Sequence, residues 1–321
     1  MPLMFMLTAV VVIWSIGLEG AKEGLAVYLK PDFGRLSDIR VWMDAFSQIF
    51  FSLSLGFGVM VVYASYLPRK SQIVRDACTI SFLNCFFSIF AGFGVFSILG
   101  YMAHTTGKPF LDVVSQSIGL AFVAYPKAIS MLPCCAHLFG ILFFGVLVIA
   151  GLSSGISILE GFTSAVIDKF HYPRKIVVSV TALSGFLGGM IFATRAGLHW
   201  LDIVDHFITH YGIIITTILE CVAVGWAFKA AKLREHINHF SRWKLWGWWD
   251  FLIKVFICLV LGGLLFSSLG EEVLKPYGGY SWLAIILIGR DWLIYTLFFA
   301  LIVAAHPWKI EPEERIRQIS S

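Results

Sequence analysis

Charge is what this sequence has least of. Of 321 residues only 14% are charged, against 58% that are hydrophobic, and the mean hydropathy is +0.82. A water-soluble domain of this length could not hide so much apolar surface, which leaves lipid as the solvent. The formal charge of +4, from 24 basic and 20 acidic residues, gives no strongly basic face for nucleic acid. Cysteine is sparse as well. Cys78, Cys85, Cys134, Cys135, Cys221 and Cys258 form no CxxC pair and no metal-ligand spacing, so they read as small core residues. There is no HExxH and no pair of aspartates on facing spans, which argues against an intramembrane enzyme. Nor does any span carry the repeating hydrophilic stripe that a channel requires.

What the chain does have is long apolar runs. About eight are long enough for a bilayer core of ~30 Å, near 2–18, 41–66, 77–104, 136–167, 176–194, 203–230, 247–269 and 281–305. The first lacks the charged start and small-residue cleavage site of a signal peptide. The loops 67–75, 169–175 and 229–244 are basic and alternate with mixed or acidic ones at 19–40 and 270–280. The positive-inside rule then puts both termini in the cytoplasm. Trp243, Trp246, Trp248 and Trp249 read as an interfacial anchor. The outer segment 105–135 is long and partly apolar, interrupted by Gly119, Tyr125 and Pro126; it fits a lid folded back into the protein or a surface connector.

One span is odd. The stretch 50-FFSLSLGFGVMVVYASY-66 carries Ser52, Ser54, Gly56 and Gly58 at mid-depth. A helix that only sits in lipid gains nothing from them, whereas a broken helix exposes carbonyls and amides that can hold an ion or a carboxylate. A glycine kink for close helix packing is the simpler alternative. Other polar residues share the depth: Asn84 with Ser88 one turn later, Ser153 and Ser154 in 150-AGLSSGIS-157, and Glu220. Serines can bond back to their own helix, and Glu220 can lock two helices as a neutral carboxyl. Yet neutral oxygens without a carboxylate make a site for a hard ion such as sodium rather than for zinc or copper. An ionisable group at this depth is by default a functional candidate.

The run 41-VWMDAFSQIFFSLSLGFGVMVVYASY-66, preceded by 28-YLKPDF-33, resembles the sixth core helix and preceding loop of the neurotransmitter:sodium symporter family. The resemblance continues through 82-FLNCFFSIFAGFGVFSILGYMA-103, 119-GLAFVAYPKAI-129 and 150-AGLSSGISILEGFTSAVID-168, and more weakly to the C-terminus. It implies an all-α polytopic membrane protein with an inverted-repeat symporter fold, matching helices five to twelve. Residues 1–18 would be the fifth helix. Residues 19–230 would be the second repeat with the lid loop 105–135, and 231–321 two C-terminal helices and a cytoplasmic tail. Residue 1 falls where the family's fifth helix starts, so the first four helices, with half of the binding site, have no counterpart here. That implies a truncated reading frame, a partial chain, or an N-terminal part encoded separately.

By position, the resemblance assigns a first sodium site to Ser52 and Asn84, and a second to the Ala150 carbonyl with Ser153 and Ser154. Each site is incomplete in this chain. The substrate pocket is expected at Phe51, Ser54, Phe57, Ser154 and Ile158, and the phenylalanines and isoleucine suit a hydrophobic or aromatic amino acid. Asp205 matches an outer-gate acid, and Asp168 an inner-gate acid with Tyr66 nearby. Chloride-independent bacterial members carry a carboxylate where this chain has Ser88. With Gln48, Ser52 and Asn84 it points to a chloride site, since two sodium ions in low dielectric favour a compensating anion. The expectation is sodium- and chloride-coupled amino-acid symport by alternating access in the plasma membrane. The alternative is a transport-inactive fragment or accessory half.

Overall fold

The computed structural model describes residues 2–68, 70–110, 122, 125–130, 135–274 and 276–307. Among the described residues all regular structure is helical. Six helical rods among the described residues are long and apolar enough to cross a membrane: Ile73–Thr106, Ala136–Phe170, Arg174–Ala193, Gly197–Ala227, Trp248–Gly270 and Trp282–Ala305. The other two expected spans differ for physical reasons. The first, α1 (Pro2–Ile16), has 15 residues and turns through 110° into α2 (Ala21–Leu29), with Gly20 at φ +80° between them. The second is broken into α3 (Ile39–Ser52) and α4 (Val59–Ser65).

The long rods are labelled α5 (Ile73–Thr106), α6 (Ala136–Phe170) and α7 (Arg174–Gly189). The next rod consists of α8 (Gly197–Phe207), a π-type turn over Ile208–Gly212, α9 (Ile213–Val222) and a second π-type turn over Ala223–Ala227. A surface helix α10 (Ala230–Phe240) leads to α11 (Ile257–Leu274) and α12 (Asp291–Ala305). Most of the expected lid loop 105–135 lies outside the described residues, as do residues 308–321 of the expected tail.

By packing, the chain divides into two compact units, 1–35 with 78–156 and 36–77 with 157–321. The first unit is built on Val11, Ile98, Leu99, Tyr101, Met102 and Phe139. Glycines let α2 and α5 touch backbone to backbone; a Cβ on Gly100 would lie 2.8 Å from the Gly24 nitrogen. The second unit has two cores. Met43, Ile214, Leu261 and Leu264 fix α3 against α9 and α11. Ile203, Phe207, Tyr211 and Ile285 hold the α8 half of the α8–α9 rod. The broken span therefore has a rigid wall behind it.

Candidate functional site

Helix α3 ends because glycine and serine adopt a left-handed backbone. Ser54 has φ +55°, Gly56 +78° and Gly58 +71°, and α4 starts after Gly58. Ser54 is the costly one, since an L side chain there is strained by roughly 1–2 kcal/mol. The neighbouring rod holds the break in place. The Gly56 backbone hydrogen-bonds Glu220, and a Cβ on Gly56 would lie 2.7 Å from Thr216 Oγ1 and 3.2 Å from the Ile213 carbonyl. Glu220 thus ties its own rod to unwound backbone, a role between the two readings its sequence position left open. Phe51 and Phe57 flank the break with ring centroids 6.0 Å apart, edge to face.

The other expected site residues are distributed as follows. Gln48, Phe51, Ser52, Ser54, Phe57, Tyr66, Ile158, Asp168 and Asp205 belong to the second unit; Asn84, Ser88, Ala150, Ser153 and Ser154 belong to the first. Asn84 and Ser88 stand one turn apart on α5, and Ala150, Ser153 and Ser154 share one stretch of α6. Asn84, Ala150 and Ser153 are half-buried, whereas Ser88 and Ser154 are exposed. Their donors are neutral oxygens, which fit an alkali cation. Among the described residues no group of three or more His, Cys, Asp or Glu side chains is placed to hold a metal ion.

At one end of the second unit, a network forms that sequence reasoning missed. Glu160 accepts from Tyr66 Oη at 2.6 Å, from Ser164 Oγ at 3.2 Å and from Arg174 at 2.6 Å. One turn earlier on α6, Ser157 meets Tyr63 Oη at 2.5 Å. Tyr63 is on α4 and Tyr66 caps its C-terminal end, so these bonds attach the short half-helix to α6 and α7. A signal existed in the sequence: Glu160 and Ser164 are four apart in an otherwise apolar helix, and Tyr63 and Tyr66 are three apart. The expected inner-gate acid Asp168 lies two turns beyond Glu160, exposed.

The opposite end is richer in acids and rings. Asp44 on α3 accepts from or pairs with His210 Nε2 at 3.1 Å. His206 stacks on Tyr277 at 3.6 Å, with its Nε2 3.5 Å from Glu272 Oε1. Tyr211 donates to Glu272, and Tyr277 and Tyr280 donate to Asp202 at 3.3 and 2.9 Å. Glu272 lies beyond the apolar stretch that ends at Gly270. Burial alone would raise its pKa, but the His206 ring beside it and the hydrogen bond from Tyr211 outweigh this and hold it below the usual carboxyl range. Burial, with Asp202 beside it, pushes Tyr277 up to about 12. Asp205, the expected outer-gate acid, is exposed on the same rod.

Residues 1–306 match the sodium:neurotransmitter symporter family. The chain is 45% identical over 302 residues to an uncharacterized sodium-dependent transporter of Methanocaldococcus jannaschii, covering 94% of this chain and 59% of that protein. It is 37% identical over 270 residues to the human sodium- and chloride-dependent neutral and basic amino acid transporter B(0+), covering 81% of this chain and 42% of that protein. With a sodium- and chloride-dependent betaine transporter of Caenorhabditis elegans it shares 36% over 238 residues, 73% of this chain and 40% of the relative. The chain thus spans about two-fifths to three-fifths of the length of these relatives, which are named as transporters and not as enzymes. This chain belongs to the sodium:neurotransmitter symporter family.

Proposed function

We propose that this chain is the C-terminal portion, matching helices five to twelve, of a sodium-coupled amino-acid symporter. The observation that carries the reading is the break between Ser52 and Val59, with three left-handed residues and a carboxylate reaching its backbone. Unwound backbone at membrane depth is tolerated only beside a cavity or ligand. Sodium would take the Ser52 and Asn84 oxygens at one site, and the Ala150 carbonyl with the Ser153 and Ser154 hydroxyls at the other. A hydrophobic or aromatic amino acid would lie against Phe51, Ser54, Phe57, Ser154 and Ile158. Chloride would neutralise the pair of cations from Gln48, Ser52, Asn84 and Ser88, a reading supported by two relatives known as sodium- and chloride-dependent transporters.

Coupling follows from shared elements. Ion and substrate use the same helices, so each shifts the protein towards the state that binds the other. Alternating access would swing α3 and α4 about their break, with the Tyr66–Glu160–Arg174 network and Asp168 closing one end and Asp205 the other. The basic loops 67–75, 169–175 and 229–244 are read as cytoplasmic, in the plasma membrane. The test is uptake by the transporter in proteoliposomes. Leucine or tryptophan should accumulate when sodium is outside and not when potassium replaces it. Equal uptake in both salts would reject sodium coupling.

A further inference from the structure

Between the second π-type turn and the next membrane rod, the chain builds a rigid basic turn that the transport reading does not use. Lys229, at φ +64°, turns the chain out of the rod, and α10 follows at once. Asn238 closes the turn after α10 with both ends of its amide: Nδ2 donates to the Leu245 carbonyl at 2.8 Å, and Leu245 N–H donates to Oδ1 at 2.6 Å. Lys244 Nζ donates to the Asn238 carbonyl. The amide of Gln72 spans the same place, donating to the Phe240 carbonyl at 2.8 Å and accepting from Arg242 N–H at 2.6 Å. Ala230, Ile237 and Ser241 are buried, so α10 has a fixed inner face.

Its other surface carries charge and rings together. Arg234 is consumed by Asp250, at 3.0 and 3.2 Å. Lys229, Lys232, Arg242 and Lys244 remain exposed against one exposed acid, Glu235. Flanking them, Trp246 is 72% exposed, Trp248 60% and Trp226 64%. Such indoles rest at the boundary between acyl chains and head groups, which sets the neighbouring cations at phosphate depth.

From this we infer a binding surface for anionic phospholipid head groups on the turn 229–249. The tryptophans fix the depth, and the exposed cations of a turn closed by the Asn238 and Gln72 amides select negative charge. Through Gln72 the bound lipid would also steady the loop that follows α4.

The purified protein in detergent can be titrated with phosphatidylglycerol and, separately, phosphatidylcholine, counting bound lipid by native mass spectrometry. Each juxtamembrane cation is worth about fivefold in affinity for an anionic head group. The double variant Lys232→Gln/Arg242→Gln should therefore bind phosphatidylglycerol at least about tenfold more weakly. The swap Lys232→Arg/Arg242→Lys should retain binding, and Lys22→Gln/Lys30→Gln, on a different segment, should not affect it. Equal binding by the first variant and the unaltered protein would overturn the site. So would equal affinity for phosphatidylcholine, which would leave only an apolar anchor, or saturation by inorganic phosphate alone, which would leave only a phosphate site.

Discussion

Two membrane segments of this chain carry nearly the same small polar residues, and only one of them breaks. The run 52-SLSLGFG-58 leaves the helix, while 150-AGLSSGIS-157 stays inside α6 without interruption. Glycine content does not explain the difference, since each has two. What separates them is the partner. Gly56 is pressed against Thr216 and the Ile213 carbonyl and bonded to Glu220, whereas nothing lies within 4 Å of where a Cβ would stand on Gly151 or Gly155. A helix breaks where another element takes over the backbone groups it frees. The unbroken segment offers side-chain oxygens on a fixed scaffold; the broken one offers backbone that can rearrange.

The largest effect should come from attacking the break. Gly56→Ala combines a left-handed backbone with a contact of 2.7 Å. It should cost roughly 2–5 kcal/mol, read from thermal unfolding in detergent, and abolish uptake. On the unbroken side, Ser153→Ala removes one hydroxyl from the proposed second sodium site. The sodium concentration for half-maximal uptake should rise about tenfold, ~1.4 kcal/mol, with the fold intact. An unchanged sodium dependence would make Ser153 a packing residue.

Ser88→Glu sharpens the chloride reading. A fixed carboxylate beside Asn84 should make uptake equal in chloride and gluconate, while the unaltered transporter should lose most of its activity in gluconate. Equal rates for the unaltered transporter in the two salts would remove the chloride site and leave the symporter standing. Gly58→Ala should cost only about 1 kcal/mol, because its φ is positive but its surroundings are open. Gly155→Ala, in an ordinary helical position, should change stability by less than that or raise it slightly.

The Glu272–Tyr277 network adds a pH dependence of similar modest size. Glu272 is held low, so its contribution to stability is present above ordinary carboxyl values of about 4.3 and disappears as the pH falls through the lower folded value. Tyr277 is raised to about 12, so the folded state keeps a proton that the unfolded chain releases near pH 10. Stability should therefore decline as the pH climbs from about 10 towards 12, and Tyr277→Phe should flatten that decline.

Much of this organisation could be read from residue order. The period of apolar runs located the rods, and LSLGFG located the break, because glycine and a hydroxyl residue at mid-depth have a physical cost that only a freed backbone explains. Ser153 and Ser154 stood out as hydroxyls within an apolar run, whereas Ala150 entered only through the family resemblance. Pairings across distant sequence did not. Nothing in Glu160 announces Tyr66 and Arg174 as partners, since a charge near a span end usually faces water. His206 is separated from Glu272 and Tyr277 by more than sixty residues, and their association depends on the end of α11 and the loop after it meeting α8. The first span was read as crossing alone, whereas Gly20 turns it into α2 after only 15 residues.

Amide hydrogen exchange over residues 53–58, followed by mass spectrometry in sodium and then in potassium, tests the central claim most directly. It requires no knowledge of the substrate. If the unwound backbone and its neighbours hold sodium, exchange there should slow by about tenfold or more in sodium, while α10 exchanges alike in both salts. Identical exchange of 53–58 in the two salts would contradict the account and leave the break a packing kink.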